Sequence, residues 1–487
     1  MATAYDSVPY PGSVYTQTDP AALGVMAQLF GLPFAPFETC RVLEIGCGDG
    51  INLINLALSA PKARFVGVDL AETAIASAKA DAAACGVTNI DFFAADLCDI
   101  GASFGEFDYV IAHGVLSWVP KSVGAALLKV IGERLAPGGL AMVSFVALPG
   151  GRTFQAIRDL LSYETREAGS PKDKLGRAFD VLENLLKLWS PKDADTAHMI
   201  GAARSVVGRR PHSLFHDELG EFWEPRLLAD IAASVAAGGL LYLCDARPSG
   251  VAEALFPSES AAYARERAGG DWARLQQFLD FQDMRSFHNA LFVKGGAPDR
   301  RRLASRLNGL WMQCELREVD RDNDKPDEAV FLTREGVRLT TNDPSLAGLF
   351  RALSHAYPEA LPLGEVADLE GVADHVFKLF TSQVARMTTT RSRARREPGA
   401  RPLASALARR QAARGEHDLA SLTHTVARIE DEPLIWLLAL LDGQRGRDEI
   451  APPWAKAAGV DTARAAAALD GALGVLARAG LLMDAAV

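Results

Sequence analysis

No window of this 487-residue chain approaches eighteen consecutive apolar residues, and Met1 to Asp19 lacks a basic start followed by an apolar core. Neither a membrane span nor a secretory leader is expected, and a cytoplasmic location is. Cysteine is scarce: the six (Cys40, Cys47, Cys85, Cys98, Cys244 and Cys314) include no Cys-x-x-Cys pair, and four fall in the first hundred residues as small core-type side chains. Disulfides, zinc or any other metal are not expected. Positive charge is also in deficit. The formal net charge of −10 opposes non-specific attraction to nucleic acid or anionic membrane. A local exception runs from Arg386 and Arg391 through Arg393, Arg395, Arg396, Arg401, Arg409, Arg410 and Arg414, with no aromatic residue between them to stack a base. It reads as a solvated linker and an exposed helix face, with an acidic partner or nucleic acid as the lesser alternative.

Glycine is what the chain does have, in one place above all. The apolar run Val42-Leu43-Glu44-Ile45 breaks into Gly46-Cys47-Gly48-Asp49-Gly50 and resumes as the helical pattern Ile51 to Ala57. Such a strand, tight turn and helix let a backbone approach a ligand closely at a helix N-terminus carrying partial positive charge. A dinucleotide turn would read Gly-x-Gly-x-x-Gly and cradle a pyrophosphate. Here the spacing is Gly46-x-Gly48-x-Gly50, and Glu44 just upstream suits a cationic amino-acid-bearing ligand better; S-adenosylmethionine meets that description. Ala63 to Asp69 reads as a second strand ending in a carboxylate placed for the two ribose hydroxyls. Ile90 to Asp96, followed by Leu97, reads as a third, with an acceptor for an adenine amine, and Phe107 to Gly114 as a fourth that leads to the cleft edge through His113.

Across residues 40 to 147 this ordered set resembles the class I methyltransferases, which share Glu-x-Gly-x-Gly-x-Gly, the ribose acid and an Asp-Tyr-Val-Ile strand. The pattern beyond it agrees. Residues 122 to 136 read as an amphipathic helix closed by Pro137-Gly138-Gly139, before the strand Leu140 to Val146. Alternating strands and helices imply a mostly parallel, Rossmann-like seven-stranded α/β sheet with the ligand at the carboxyl ends of the strands. Residues 151 to 200 carry helical spacing (Phe179, Leu182, Leu185, Leu186) and are expected to cover the cleft. A separate segment begins after Arg209-Arg210-Pro211, with an apolar strand at Gly239 to Leu243. Phe331 to Thr333 and Gly336 to Leu339 read as short strands before a helix from Ser345 to Ala356, and short helices follow from Leu434 to Leu481.

A narrower resemblance starts at Tyr5-Asp6-Ser7-Val8-Pro9-Tyr10-Pro11 and Tyr15-x-Gln17-Thr18-x-Pro20. It continues through Ile111 to Pro120, Phe215-His216-Asp217-Glu218-Leu219, Asp280-Phe281 with Arg285 and Phe287, and Leu440 to Gly443. These are similar to bacterial methyltransferases with a methyltransferase regulatory domain, among them the rickettsial protein lysine methyltransferases. The resemblance implies a methyltransferase domain with an N-terminal lid (1–200), a mostly helical regulatory domain (205–300), a winged-helix-like domain (301–395) and a C-terminal helical or winged-helix-like domain (396–487). It implies S-adenosylmethionine as cofactor, S-adenosylhomocysteine as product, and cofactor contacts from Tyr5, Gln17, Glu44, Gly46, Cys47, Gly48, Asn52, Asp69, Leu70, Ala95, Asp96, Leu97 and His113. Family members tend to carry Tyr-Asn and then Tyr-Pro-Gly-Trp where this chain has Phe145-Val146 and Leu148-Pro149-Gly150-Gly151, a departure on the acceptor side.

An activated methyl group needs a positioned nucleophile and exclusion of water more than it needs a dedicated base. Tyr10 and Tyr15, with Tyr5, are candidates to line the acceptor pocket, against the alternative that they only pack the N-terminal segment. His113 either moves a proton or hydrogen-bonds the cofactor, and Trp118 shapes the rim. A lysine amine of a protein substrate is the leading acceptor, with no membrane or nucleic-acid partner and a homodimer admitted. A small metabolite, or a cofactor-binding regulator with little activity, remain the alternatives.

Overall fold

The computed structural model describes residues 4–320 and 328–484. Seven strands form one sheet: β1 (Arg41–Ile45), β2 (Arg64–Asp69), β3 (Ile90–Ala94), β4 (Phe107–Ala112), β5 (Leu135–Val146), β6 (Leu240–Asp245) and β7 (Phe287–Lys294). Their order is β3-β2-β1-β4-β5-β7-β6. The first five pair in parallel, and β7 runs antiparallel between β5 and β6. This is the class I methyltransferase architecture. The strand order reverses between β1 and β4, so the cleft opens beyond their carboxyl ends.

Both faces of the sheet are covered, as buried parallel strands require. One face holds Leu43, Val110, Val143, Phe145 and Phe292 against the helices Lys121–Arg134 and Leu228–Ala236. The other holds Val42, Phe65, Tyr109 and Met142 against Pro20–Leu29 and Ile51–Ser59. Pro20–Leu29 starts sharply because Asp19 accepts from Ala21 N at 2.9 Å and Pro20 takes the first helical position.

Residues 205 to 300, expected as a regulatory domain, also contribute β6 and β7, which complete the sheet of the methyltransferase fold. Short-range pattern could not show this, because pairing with β5 is a contact across about 150 residues of sequence. The strand β5 also begins at Leu135, so Pro137-Gly138-Gly139 interrupts a strand and the pairing with β4 shifts register there.

Between β5 and β6, the helices Arg152–Thr165, Pro171–Leu188 and Ala194–Val207 form a cap with its own core of Ile157, Leu161, Ala178, Leu182, Val206 and Leu214. Farther on, the strands Leu316–Val319, Ala329–Thr333 and Arg338–Thr341 form an antiparallel sheet beside the helices Pro344–Ala356 and Leu369–Thr381. Phe350, Phe377 and Phe380 of those helices share one continuous core with Pro20–Leu29, and burying each such ring contributes about 2 kcal/mol. Residues 403 to 483 close on a further core containing Leu438, Trp454, Leu473 and Leu481.

The arginine-rich stretch is not a solvated linker. Arg386 pairs with Asp19 at 2.6 Å, Arg393 donates to Leu58 O at 2.7 Å, and Arg391 and Arg395 pair with Glu359. Arg410 and Arg414 converge on the fully buried Asp81. Arg386, Arg393, Arg410 and Arg414 thus join the later part of the chain to the methyltransferase fold.

Candidate active site

At the end of β1 the Glu44 side chain lies inside the protein, and burial pushes its carboxyl up to about 8. Its Oε1 accepts from Asn52 Nδ2 at 3.0 Å, while its buried Oε2 has no hydrogen-bond partner. Asn52 stands one residue into the helix Ile51–Ser59, so the glycine turn brings strand acid and helix amide together. The same Asn52 presents Oδ1 to three donors: Tyr15 N at 3.2 Å, Thr18 Oγ1 at 3.1 Å and His424 Nε2 at 3.0 Å.

The turn takes its shape from left-handed backbone at Gly46 (φ 78°) and Gly48 (φ 55°). A Cβ on Gly46 would stand 2.4 Å from Val115, whereas one on Gly48 would meet nothing within 4 Å. Asp69, at the end of β2, accepts from Gly48 N at 2.8 Å and from Ala71 N at 2.9 Å. Burial raises its carboxyl despite these bonds. An orphaned buried carboxylate oxygen, open space over Gly48 and an acid at the next strand end fit a ligand with an ammonium group and a ribose.

The N-terminal segment is laid over this turn. Gly12 N donates to Asp49 Oδ2 at 2.8 Å, and Thr73 donates through both N and Oγ1 to Asp6 Oδ1. Its tyrosines reach a second, aromatic part of the cleft. Tyr15 lies edge-on to His113 at 4.3 Å, and His113 faces Phe287 at 6.4 Å. Trp118 meets Phe287 at 6.3 Å and Trp223 at 6.0 Å, and both indole N–H groups are buried without a partner. Tyr5 stacks on His216 at 4.1 Å with the rings 3° from parallel, and Tyr10 lies against His212 and His216.

Beneath these rings the backbone Leu214–Glu218 forms a π-turn, a wider helical winding often found at functional sites. It turns two acids inward. Burial raises Asp217 to about 6 and Glu218 to about 7 against the opposing pull of Arg209, which pairs with Glu218 at 2.6 Å. Burial also pushes Tyr5 up to about 12, with Asp217 adding to the shift, and moves Tyr10 in the same direction. His113 is driven down to about 4 by burial and stands 2.9 Å from Ser144 Oγ, so it is a neutral ring at physiological pH.

The structure thus brings Glu44, Asn52, Gly48 and Asp69 together at the turn, and His113, Tyr15, Tyr5, Tyr10 and Trp118 beside them. Other expected contacts are not gathered there. Asp96 is exposed and caps the next turn through Cys98 N at 2.8 Å, and Leu70 is 57% exposed. Ala95 and Leu97 pack against the core, and the Cys47 thiol is buried in it, leaving only backbone on the ligand side. Gln17 accepts from its neighbour Thr16 at 3.4 Å. The departure at Phe145 is not in the cleft, for that ring is fully buried against His288. At Gly151 a Cβ would meet Val146 at 2.6 Å and Ala147 O at 2.7 Å, so the local packing matches its lack of a side chain. Sequence reasoning assigned no role to His216, Asp217, Glu218, Trp223 or Phe287. The run Phe215 to Leu219 was visible as a motif, but its π-turn was not.

Comparison with known proteins assigns domains to the chain. Residues 42–139 match the methyltransferase domain, 210–294 the predicted methyltransferase regulatory domain, and 400–462 the C-terminal winged helix domain of PKMT. Fold and site define a class I methyltransferase that uses S-adenosylmethionine. The chain is 33% identical over 219 residues to protein RP028 of Rickettsia prowazekii, covering 45% of this chain and 88% of that protein, and it belongs to the same family. Protein RP789 of the same organism is 29% identical over 371 residues, 74% of this chain and 67% of its own. The solved structure of PKMT2 from Rickettsia typhi in complex with AdoHcy superposes with a TM-score of 0.87 at 22% identity, over 97% of this chain and all of that one. No helix among the described residues is long and apolar enough to cross a membrane.

Proposed function

We propose that this enzyme transfers a methyl group from S-adenosylmethionine to the side-chain amine of a lysine in a protein substrate. The observation that carries the reading is the cluster of aromatic rings beside the glycine turn, Tyr5, Tyr10, Tyr15, Trp118 and Phe287, with the Asp217 carboxyl close enough to raise the hydroxyls of Tyr5 and Tyr10. Aromatic faces with a nearby carboxylate hold an alkylammonium chain and lower its affinity for water. The likeness to PKMT2 supports the same acceptor class.

In this reading Glu44 and Asn52 hold the amino-acid end of the cofactor, the Gly46 to Gly48 backbone lies along it, and Asp69 takes the ribose. Bound there, S-adenosylmethionine supplies a sulfonium-activated methyl group. The chain's own work is orientation and proton removal. A lysine ammonium of pKa about 10 must lose a proton before its nitrogen can attack. This reading assigns acceptance of that proton to Asp217, whose carboxyl, raised by burial to about 6, is ionised at neutral pH. Tyr10 and Tyr15 stay protonated and present their faces and hydroxyl groups, and neutral His113 hydrogen-bonds rather than acts as the base. Trp118 forms the rim. The reading keeps Gln17, Asp96, Leu70, Ala95 and Leu97 as outer cofactor contacts reached through backbone or after small rearrangement.

The same reading expects a cytoplasmic enzyme without a nucleic-acid partner. The engagement of arginines 386 to 414 with acids and carbonyls of the chain itself supports it. The test is transfer of labelled methyl from S-adenosylmethionine into separated fractions of a host lysate. Base-stable label in a protein band, recovered as methyllysine after hydrolysis, is the expected result. Label confined to small molecules would overturn the lysine assignment.

A further inference from the structure

The loop between the short strands Asp418–Ala420 and Val426–Arg428 reads Ser421-Leu422-Thr423-His424-Thr425. Three hydroxyls brace it from within: Ser421 Oγ lies 2.9 Å from Thr423 Oγ1 and 2.8 Å from Thr425 Oγ1, which are 3.0 Å from each other. His424 at its tip has left-handed backbone with φ 52° and is buried. A non-glycine residue holds that conformation at a cost on the order of 1 kcal/mol, so the surroundings must impose it. What surrounds it is the helix Ile51–Ser59, through Asn52 and Asn55, together with the backbone of Tyr15.

The hydrogen bonds there allow a single arrangement of protons. Asn52 Oδ1 receives the backbone N–H of Tyr15, so it is the oxygen, and its amide nitrogen faces Glu44. His424 Nε2, 3.0 Å from that oxygen, must therefore carry the proton. Asn55 Nδ2 donates to the carbonyl of Ser421 at 3.0 Å and meets His424 Nδ1 at 3.0 Å, so Nδ1 is the bare acceptor. A second proton on the ring would set two donors against each other. Burial points the same way, holding the imidazole down to about 4.

We propose that His424 of the C-terminal winged-helix region is a positioning residue for the cofactor site, fixing the Asn52 amide so that its nitrogen stays on Glu44. The inference rests on the reading that the Glu44–Asn52 pair holds the cofactor. The C-terminal region then completes the site, and the methyltransferase fold without it binds cofactor poorly. Without the Nε2 proton, Asn52 Oδ1 keeps only Tyr15 N and Thr18 Oγ1, and the amide is held less firmly with its nitrogen on Glu44.

Two substitutions in the full-length protein separate positioning from loop structure. In His424→Gln the amide nitrogen reaches the place of Nε2, whereas in His424→Asn it reaches only that of Nδ1. Asparagine tolerates left-handed backbone better than glutamine. A loop that served only structure would favour His424→Asn in every measurement. Titration with S-adenosylhomocysteine by calorimetry should instead give an affinity within about threefold of wild type for His424→Gln. For His424→Asn it should give a loss of about tenfold or more, the scale of one hydrogen bond to a buried charged pair. The order should hold even where His424→Asn melts higher. Wild-type affinity in His424→Asn, or losses that follow melting temperature in both variants, would overturn the role of His424. Undiminished affinity in Glu44→Gln, measured alongside, would overturn the underlying reading of the acid pair instead.

Discussion

With Glu44 as the proposed partner of the cofactor's ammonium, cofactor affinity should depend on pH in a calculable way. In the free protein burial raises its carboxyl to about 8, the Asn52 bond offsetting part of the shift. A ligand ammonium pairs with the carboxylate, not the acid, so below pH 8 binding must first remove a proton. Each pH unit costs about 1.4 kcal/mol, and at pH 6, two units below, the deficit is about 2.7 kcal/mol, or about a hundredfold in Kd. Calorimetry with S-adenosylhomocysteine between pH 5.5 and 7.5, where the ligand amine stays charged, should show Kd falling about tenfold per unit rise. Repeating it in buffers of different ionisation enthalpy should show close to one proton released per ligand. The Glu44→Gln variant should bind more weakly at pH 7.5 and show a flat profile. Stability has the opposite sense: the folded, ligand-free state holds a proton that the unfolded chain gives up near 4.5, so its stability falls as pH rises from about 4.5 to 8. Glu44→Gln should therefore melt higher than wild type at pH 8 while binding less. A wild-type Kd independent of pH over this range would refute the assignment of Glu44 as a buried partner for the cofactor's ammonium.

On the acceptor side, Asp217→Asn should leave cofactor affinity within about twofold. It should lower kcat/KM for methyl transfer by about 10²- to 10³-fold at pH 7, the usual worth of a positioned base, and remove an acid limb near pH 6 seen in wild type. Asp81→Asn strips Arg410 and Arg414 of their shared acid. Because both guanidinium groups are partly exposed, the loss should be about 2 kcal/mol, read as earlier proteolysis of the C-terminal region in limited trypsin digestion. Buried His288 lies between Asp280 (2.7 Å) and Asp245 (3.4 Å), which raise its basicity. Its contribution to stability is complete below the unfolded value of about 6.5 and lost as pH rises through the folded one. His288→Gln should therefore destabilise most at pH 6 and less at pH 9 in thermal melts.

How much of this was legible beforehand depended on the range of the interactions involved. The glycine turn, Glu44, Asn52 and Asp69 could be read directly, because a strand, a tight turn and a helix are decided within about thirty residues. The tyrosines and His113 could be named as candidates, though the stacking of Tyr5 on His216 could not. That contact joins positions 211 residues apart. Asp96 could be named from its place at a strand end, though not the cap that one of its oxygens makes to the backbone of Cys98. The arginine run looked like a solvated face because its partners Asp19, Asp81 and Glu359 are scattered through the chain, and only folding sets them opposite.

By itself, the order of residues determined the class of fold and the cofactor, since periodicity and turn chemistry are local. Tertiary structure decided the rest. It drew the last two strands of the sheet from residues 240 to 294 and turned Asp217 and Glu218 inward on a π-turn. It also set His424, on a braced loop, against Asn52 of the helix Ile51–Ser59. Each of these places a polar or apolar group against a partner far away in sequence. Its energy depends on burial that no segment possesses alone.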